Sequence, residues 1–288
     1  MSIYRINHVQ ISIPSDGETL ARQFYCDLLG LEEIEKPISL QDNGGFWLIL
    51  GDQELHIGIQ DQTEFSKLRT HIAYEVEDLD TWWEKLADYG PQENTEIPGY
   101  DRFECRDPFG NRLEIIQPIT ELTYPSNRYK YSYLEAVQEF IEEGKAADWN
   151  LDMLIDEFDL YVQTLIDQSQ YPDANKVAAT ELWLVYGSDY VGRLSIRHTL
   201  NDALLQFGGH IGYEIRPSMR RQGFATESLI QGLEIAAELG LTRVLLTCDD
   251  DNYPSQRIIE GAGGVLENKV DNGRPSLTRR YWIDIKPA

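Results

Sequence analysis

The chain has 288 residues, 42% of them hydrophobic and 11% aromatic, enough for two ordinary cores and too apolar for a disordered polymer. Its 49 acidic and 25 basic side chains leave a formal charge of −24, which argues against a nucleic-acid or anionic-membrane partner, since each needs a basic face. No stretch approaches ~18 apolar residues and no basic-then-apolar leader opens the chain, so a cytoplasmic location is expected.

The first 118 residues carry two copies of one pattern. Residues 6–14 (INHVQISIP) alternate as a half-buried strand does, and residues 19–30 (TLARQFYCDLLG) show helical spacing closed by a glycine. Residues 46–51 (FWLILG) and 54–60 (ELHIGIQ) read as a hairpin-like pair. The pattern restarts at 70–78 (THIAYEVED) and continues with a helix over 79–90. It ends in strands at 102–107 and 111–117, separated by the turn Pro108-Phe109-Gly110. Each copy reads βαβββ, and two copies make a paired module, not a repeat array.

His8 and His71 fall on the first strands of the two copies, and His56 and Glu114 correspond on the last strands. If the copies pack about a pseudo-two-fold axis, the four side chains converge. Imidazoles with a carboxylate suit a divalent ion such as Zn, Fe, Mn or Ni. The segments NHVQISI, FYCDLLGL (Phe24 to Leu31), THIAYEVEDLD and DPFGNRLEII resemble the vicinal oxygen chelate superfamily, over about residues 4–117. That superfamily includes glyoxalase I, fosfomycin-modifying enzymes, extradiol dioxygenases and bleomycin-binding proteins. The resemblance implies metal ligation by His8, His71 and Glu114, with His56 where glyoxalase I has an acidic ligand. It also implies a small metabolite or antibiotic as the ligand, with the ion as Lewis acid in any reaction. Members that only bind a ligand can lack metal. Modules of this kind also pair between chains, so a homodimer is compatible with the sequence, although one chain here supplies both copies.

Residues 118–131 contain two prolines and no clear period, and a linker is expected at 119–131 between domains at 1–118 and 132–288. Ser132 and Glu135 have capping-box spacing before an apolar-periodic run to Ile141, and a second helix is expected over 151–166. Residues 181–197 read as a hairpin turning at Gly187-Ser188-Asp189, and 208–217 (GGHIGYEIRP) as a further strand. RRQGFA (220–225) then leads into a helix beginning near Thr226. Gly223 lets the backbone approach a ligand, Ala225 keeps the first turn small, and the free amides of the helix start point at an anion. Residues 241–252 (LTRVLLTCDDDN), Asn252-x-x-Ser255 and GAGGV (261–265) follow in that order. Cys26, Cys105 and Cys248 are odd in number and widely spaced, so inert thiols are expected and not a disulfide framework.

Arg-x-x-Gly-x-Ala after a strand ending in Arg-Pro, followed in order by Asn252-x-x-Ser255 and GAGGV, resembles the acetyl-CoA loop of the GNAT acyltransferases over roughly residues 180–285. The resemblance implies acetyl-CoA binding at Ile215, Arg220, Arg221, Gln222, Gly223, Phe224, Ala225, Thr226, Asn252 and Ser255. It implies acetyl transfer to a primary amine on a small molecule or a peptide. Glu214, near the end of the strand, is the candidate base, and a backbone amide of that strand the donor to the thioester carbonyl. Many members carry a tyrosine acid seven residues after the Asn252 position; Ile259 stands there, which leaves Tyr213 and Tyr253 as candidates. Arg197, His198, Asn201 and His210 flank the turn over 199–209 and are candidates to line an acceptor pocket.

The expected fold class is α+β: paired βαβββ modules, then a GNAT-like mixed α/β sheet. Two alternatives stand beside a bifunctional protein. One is a drug- or metabolite-binding protein with a non-catalytic first domain; the other is a glyoxalase-like lyase with an accessory acyltransferase.

Overall fold

The computed structural model describes residues 5–61, 63–94, 97–145, 151–172, 174 and 176–285. The chain divides into two compact units between Gln117 and Pro118.

In the first unit β1 (His8–Ile13), β2 (Glu32–Ile34), β3 (Phe46–Leu50) and β4 (Gln53–Ile59) form a sheet in the order β1-β4-β3-β2, with β1 parallel to β4. The second copy repeats this order as β5-β8-β7-β6, from β5 (His71–Glu75), β6 (Gln92–Glu93), β7 (Tyr100–Arg106) and β8 (Arg112–Pro118). Each copy has one helical crossover. α1 (Glu18–Arg22) widens into a π-helical turn over Gln23–Leu28, and α2 (Leu79–Lys85) is capped by Asp78, whose carboxylate accepts the Thr81 amide at 3.1 Å. The period-two alternation sends Ile13, Leu48 and Ile57 of one copy and Phe103, Leu113 and Ile115 of the other into one shared core. Burying each such side chain contributes roughly 1.5–3 kcal/mol. Two polar contacts lock the copies together: Tyr25 donates its buried hydroxyl to Asp107 at 2.8 Å, and the Asn111 amide donates to the Ser12 carbonyl at 3.0 Å.

The second unit is built on one seven-stranded sheet, ordered β14-β15-β13-β12-β11-β10-β9. Its strands are β9 (Thr120–Thr123), β10 (Ala179–Tyr186), β11 (Asp189–Arg197), β12 (Ile211–Ile215), β13 (Arg243–Asp249), β14 (Val265–Val270) and β15 (Thr278–Asp284). Alternate residues of β10 point to opposite faces. Leu182 and Leu184 join the core under α6 (Phe224–Glu238) and α7 (Tyr253–Gly261), with Leu194, Leu229 and Ile259. Trp183 and Val185 join an aromatic core with Tyr133, Phe158 and Tyr190, under α3 (Lys130–Glu142) and α5 (Phe158–Asp167).

Three local expectations change. The segment expected as a linker carries β9, an edge strand antiparallel to β10, whose Leu122 amide and Thr120 carbonyl are held by the Gln231 side chain of α6 at 2.8 and 2.9 Å. Four residues flanked by Pro118 and Pro125 are too few to show a period. Helix α3 starts ahead of Ser132, which caps nothing. Its hydroxyl is buried and accepts the Tyr190 amide at 3.0 Å. The helix expected over 151–166 is broken at Glu157 into α4 (Leu151–Asp156) and α5. The cysteines are free thiols, as expected; burial pushes Cys105 and Cys248 up to about 11, so neither is a ready nucleophile. Among the described residues no helix is long and apolar enough to cross a membrane.

Candidate active site

The first unit puts its four matched residues on the expected strands without joining them into a ligand set. The His8 and His56 rings stack at 4.2 Å, His56 stacks on Trp47 at 3.9 Å, and His56 Nε2 lies 2.9 Å from a Glu54 oxygen. On the other sheet, His71 Nε2 lies 3.3 Å from Glu114 Oε1. Glu114 is buried, and both of its oxygens are taken: Arg102 Nη1 donates to Oε2 at 2.9 Å and Arg112 Nη2 to Oε1 at 2.7 Å. Two guanidinium charges therefore stand against the carboxylate that would have served a dication. Among the described residues no three His, Cys, Asp or Glu side chains are arranged to hold a metal ion. The expectation of a His8, His56, His71 and Glu114 site is corrected accordingly. The signal was present in the sequence: Arg112 precedes Glu114 by two on an alternating strand and so shares its face, and Arg102 lies on the neighbouring strand.

The second unit opens where the first closes. β12 and β13 meet at a single register pair, Ile211 with Leu246. His210 pins this vertex: its amide donates to the Leu245 carbonyl at 2.7 Å, and its Nδ1 accepts the Leu245 amide at 2.9 Å. Gly209 is required beside it, because its φ is +67° and a Cβ there would lie 2.3 Å from the Leu245 carbonyl oxygen. Beyond the vertex β12 pairs only with β11, and β13 only with β15, so the two strands splay.

A cavity of about 560 Å³ lies between the end of β12 and the starts of α6 and α7, lined by Glu214, Ile215, Arg220, Arg221, Gly223, Ala225, Thr226, Asn252 and Ser255 among others. These include most of the residues expected to bind acetyl-CoA. Gln222 and Phe224 do not line it: Gln222 folds back onto the Ser218 carbonyl at 3.2 Å, and Phe224 packs against the core beside Tyr186. Gly223 is the N-cap of α6 at φ 92°, and no side chain caps the helix. Arg221 also has positive φ, 68°, which is uncommon outside glycine. Left-handed residues in such turns gather backbone amides into an anion-binding concavity, reinforced here by the positive end of the helix dipole. A Cβ on Gly223 would meet no atom within 4 Å, so packing does not demand glycine there. The backbone conformation does.

Several expected residues have partners that the sequence did not announce. Arg220 donates Nε to the Ile215 carbonyl at 3.0 Å and pairs through Nη2 with Glu143 at 2.8 Å. That pairing holds the Glu143 carboxyl down at about 2. Asn252 caps α7 by accepting the Ser255 amide at 3.2 Å. Glu214 Oε2 accepts from Arg193 at 3.2 and 3.3 Å, while Oε1 makes no hydrogen bond among the described residues. Of the acid candidates, Tyr253 is 64% exposed and off the cavity. Tyr213 lines the cavity. Its hydroxyl is buried beside Ser255 yet falls outside hydrogen-bond geometry with any group among the described residues, and burial pushes its pKa up. His198 contacts the Thr180 hydroxyl at 2.9 Å and Asn201 accepts the Leu204 amide at 2.9 Å, so both have structural roles.

A second cavity, of about 500 Å³, shares Tyr213, Asn252 and Ser255 with the first and extends to Arg197, Asp249 and Arg274. Two ligand-sized spaces thus meet at Tyr213.

Comparison with known proteins follows the same division. A glyoxalase/bleomycin resistance protein/dioxygenase superfamily model matches residues 5–115, and an acetyltransferase (GNAT) domain model matches residues 130–265. No curated protein matches the chain. Among solved structures, a protein from Bacillus anthracis assigned to the glyoxalase family is 37% identical, covering 41% of this chain and 98% of its own, with a TM-score of 0.38. A glyoxalase family protein from Enterococcus faecalis is 25% identical over 39% of this chain and 96% of its own, with a TM-score of 0.32. The microcin C7 self-immunity acetyltransferase MccE, solved with acetyl-CoA and AMP, is 17% identical over 58% of this chain and 92% of its own, with a TM-score of 0.45. The chain joins a domain of the glyoxalase/bleomycin resistance/dioxygenase superfamily to a GNAT acetyltransferase domain.

Proposed function

We propose that the second unit transfers the acetyl group of acetyl-CoA to a primary amine on a small molecule or a peptide. The observation that carries this reading is the cavity between the end of β12 and the uncapped start of α6, which meets the opening of β12 from β13 at Tyr213. The amides around Gly223 are placed for the diphosphate, with Arg221 adding positive charge. Arg220 can join them by leaving Glu143, an exchange of one partly exposed ion pair for another that costs little.

Acetyl transfer forms a C–N bond and breaks a C–S bond. The amine must lose a proton and the leaving thiolate must gain one. Glu214 lines the cavity with Oε1 free, and accepts the amine proton directly or through water. Tyr213 carries an unpaired hydroxyl at the meeting of the two cavities and donates to the sulfur, in place of the tyrosine that Ile259 replaces. An amide of the diverging part of β12 stabilises the charge developing on the carbonyl oxygen.

The first unit is read as a binding module for a small metabolite or antibiotic. With Glu114 held by Arg102 and Arg112, no metal-dependent step is assigned to it. Thiol release from acetyl-CoA against an amine panel tests the transferase reading. Thermal shift with divalent ions and antibiotics tests the first unit, since a bound ligand stabilises by mass action.

A further inference from the structure

Arg197 stands apart from the other charged groups of the second unit. It lines the cavity of about 500 Å³ that meets the splay, and also two neighbouring spaces of about 470 and 230 Å³ on the other side of β12. Its side chain is held in place: Nη1 donates to the carbonyls of Gly208 and Gly209 at 3.1 Å each. The guanidinium lies over Gly212, 3.8–3.9 Å from where a Cβ would be, and so beside the first residue of β12 past the vertex. Among the described residues no carboxylate comes within ion-pair distance of it, and Nε and Nη2 make no hydrogen bond. The nearest acid that bears on it, Glu181, is engaged by the Ser195 hydroxyl at 2.6 Å.

An arginine without a counter-ion is conspicuous in a chain with 49 acids and 25 bases. Guanidinium stays protonated at any physiological pH, so burial does not remove the charge. A partly buried charge normally finds a partner. Nε and Nη2 are thus left without partners on a residue that lines three cavities, and that pair of donors can take an oxyanion with two parallel hydrogen bonds. Arg274 adds a second positive charge to the same cavity, against one negative charge at Asp249.

We infer that Arg197 binds an oxyanion carried by the acceptor itself, so that the amine acetylated belongs to an anionic molecule of the amino-acid type. Polyamines and aminoglycosides are disfavoured. This rests on the transferase reading and adds the acceptor class to it. The positioning is consistent with the chemistry, since Arg197 and Tyr213 line the same cavity on the open side of the vertex.

The test pairs each anionic amine with its uncharged counterpart: α-amino acids with their carboxamides, and phosphoethanolamine with ethanolamine. The carboxylate and phosphate arms separate the two oxyanion sources. Acetylation by the full chain is measured as kcat/KM, alongside acetyl-CoA affinity by calorimetry. The expected result is a preference of at least tenfold for the anionic member in one arm. That ratio should collapse toward one in Arg197→Gln and recover in part in Arg197→Lys, whatever common loss the missing bonds to Gly208 and Gly209 bring to both members of a pair. A purely structural Arg197 would lower both members of a pair alike. Preference for the uncharged member, no binding or turnover of any anionic amine, or a ratio that survives Arg197→Gln overturns the inference. A wild-type chain that binds no acetyl-CoA overturns the transferase reading beneath it instead.

Discussion

The two units place their charged groups in opposite ways. In the first, the polar centre is closed on itself: Glu114 is shared among Arg102, Arg112 and His71, and His56 is stacked between Trp47 and His8. Among the described residues, the Nε atoms of the two arginines and the Tyr74 hydroxyl are buried there without partners. In the second, the polar centre is open: two strands part after one register pair, a helix begins uncapped, and Arg197 lacks a carboxylate. Folding stability favours the first arrangement, because buried polar groups are costly unless paired. The second leaves donors unspent at a surface cavity, which is what a site needs in order to bind something else.

The sharpest way to break this comparison is to open the closed centre. Glu114→Ala strands the buried Arg102 guanidinium, while Arg112 keeps Glu104, and should cost about 3–5 kcal/mol, read as a fall in the first unit's melting transition. Loss of less than about 1 kcal/mol would mean the cluster does not hold the unit together. Divalent ions should give no saturable stabilisation of the wild-type chain.

The open centre should respond the other way. Tyr213→Phe removes a buried hydroxyl whose polar neighbour is Ser255, so stability should change by less than about 1 kcal/mol, while kcat falls about a hundredfold and acetyl-CoA affinity stays. Equal losses of stability and rate would make the residue a packing element. Next in size, Gly209→Ala forces a Cβ onto the Leu245 carbonyl at a positive φ, and should cost about 2 kcal/mol while weakening acetyl-CoA binding through the displaced vertex.

The smallest effect expected is a pH dependence at the vertex. Burial holds His210 below its ordinary value of 6.5, and its Nδ1 must be unprotonated to accept the Leu245 amide. As pH falls through about 6.5 the unfolded chain takes up this proton first. Stability of the second unit should therefore be full above that pH and decline as the pH drops toward the folded value. His210→Asn should lack this part of the slope. A wild-type profile identical to the variant's from pH 7.5 to 5 would remove His210 from the vertex.

The sequence was most legible where one short-range rule decided the structure. The alternation of 6–14 and 70–78 and the helix opening at Asn252 each follow from spacing within a few residues, and the structure carries them. Most of the residues nominated by the order Arg-x-x-Gly-x-Ala, Asn252, Ser255 line one cavity. What stayed hidden is set by partners distant in the chain. Arg220 pairs with Glu143, 77 positions earlier, and Ser132 serves the amide of Tyr190, 58 positions later. The metal expectation failed for a related reason. Reading four residues as ligands required knowing what else surrounded them, and Arg102 reaches Glu114 only once β7 lies beside β8. β9 was missed because four residues between prolines carry too little pattern.

The central claim is that the Gly223 turn and the splayed strands bind acetyl-CoA, and calorimetric titration of the folded full chain tests it most directly. Saturable binding at one site per chain is predicted, weakened at least tenfold by Gly223→Val, which cannot keep the φ of 92° that gathers the amides of the turn. No heat of binding with folded protein, or equal affinity in the two chains, would contradict it.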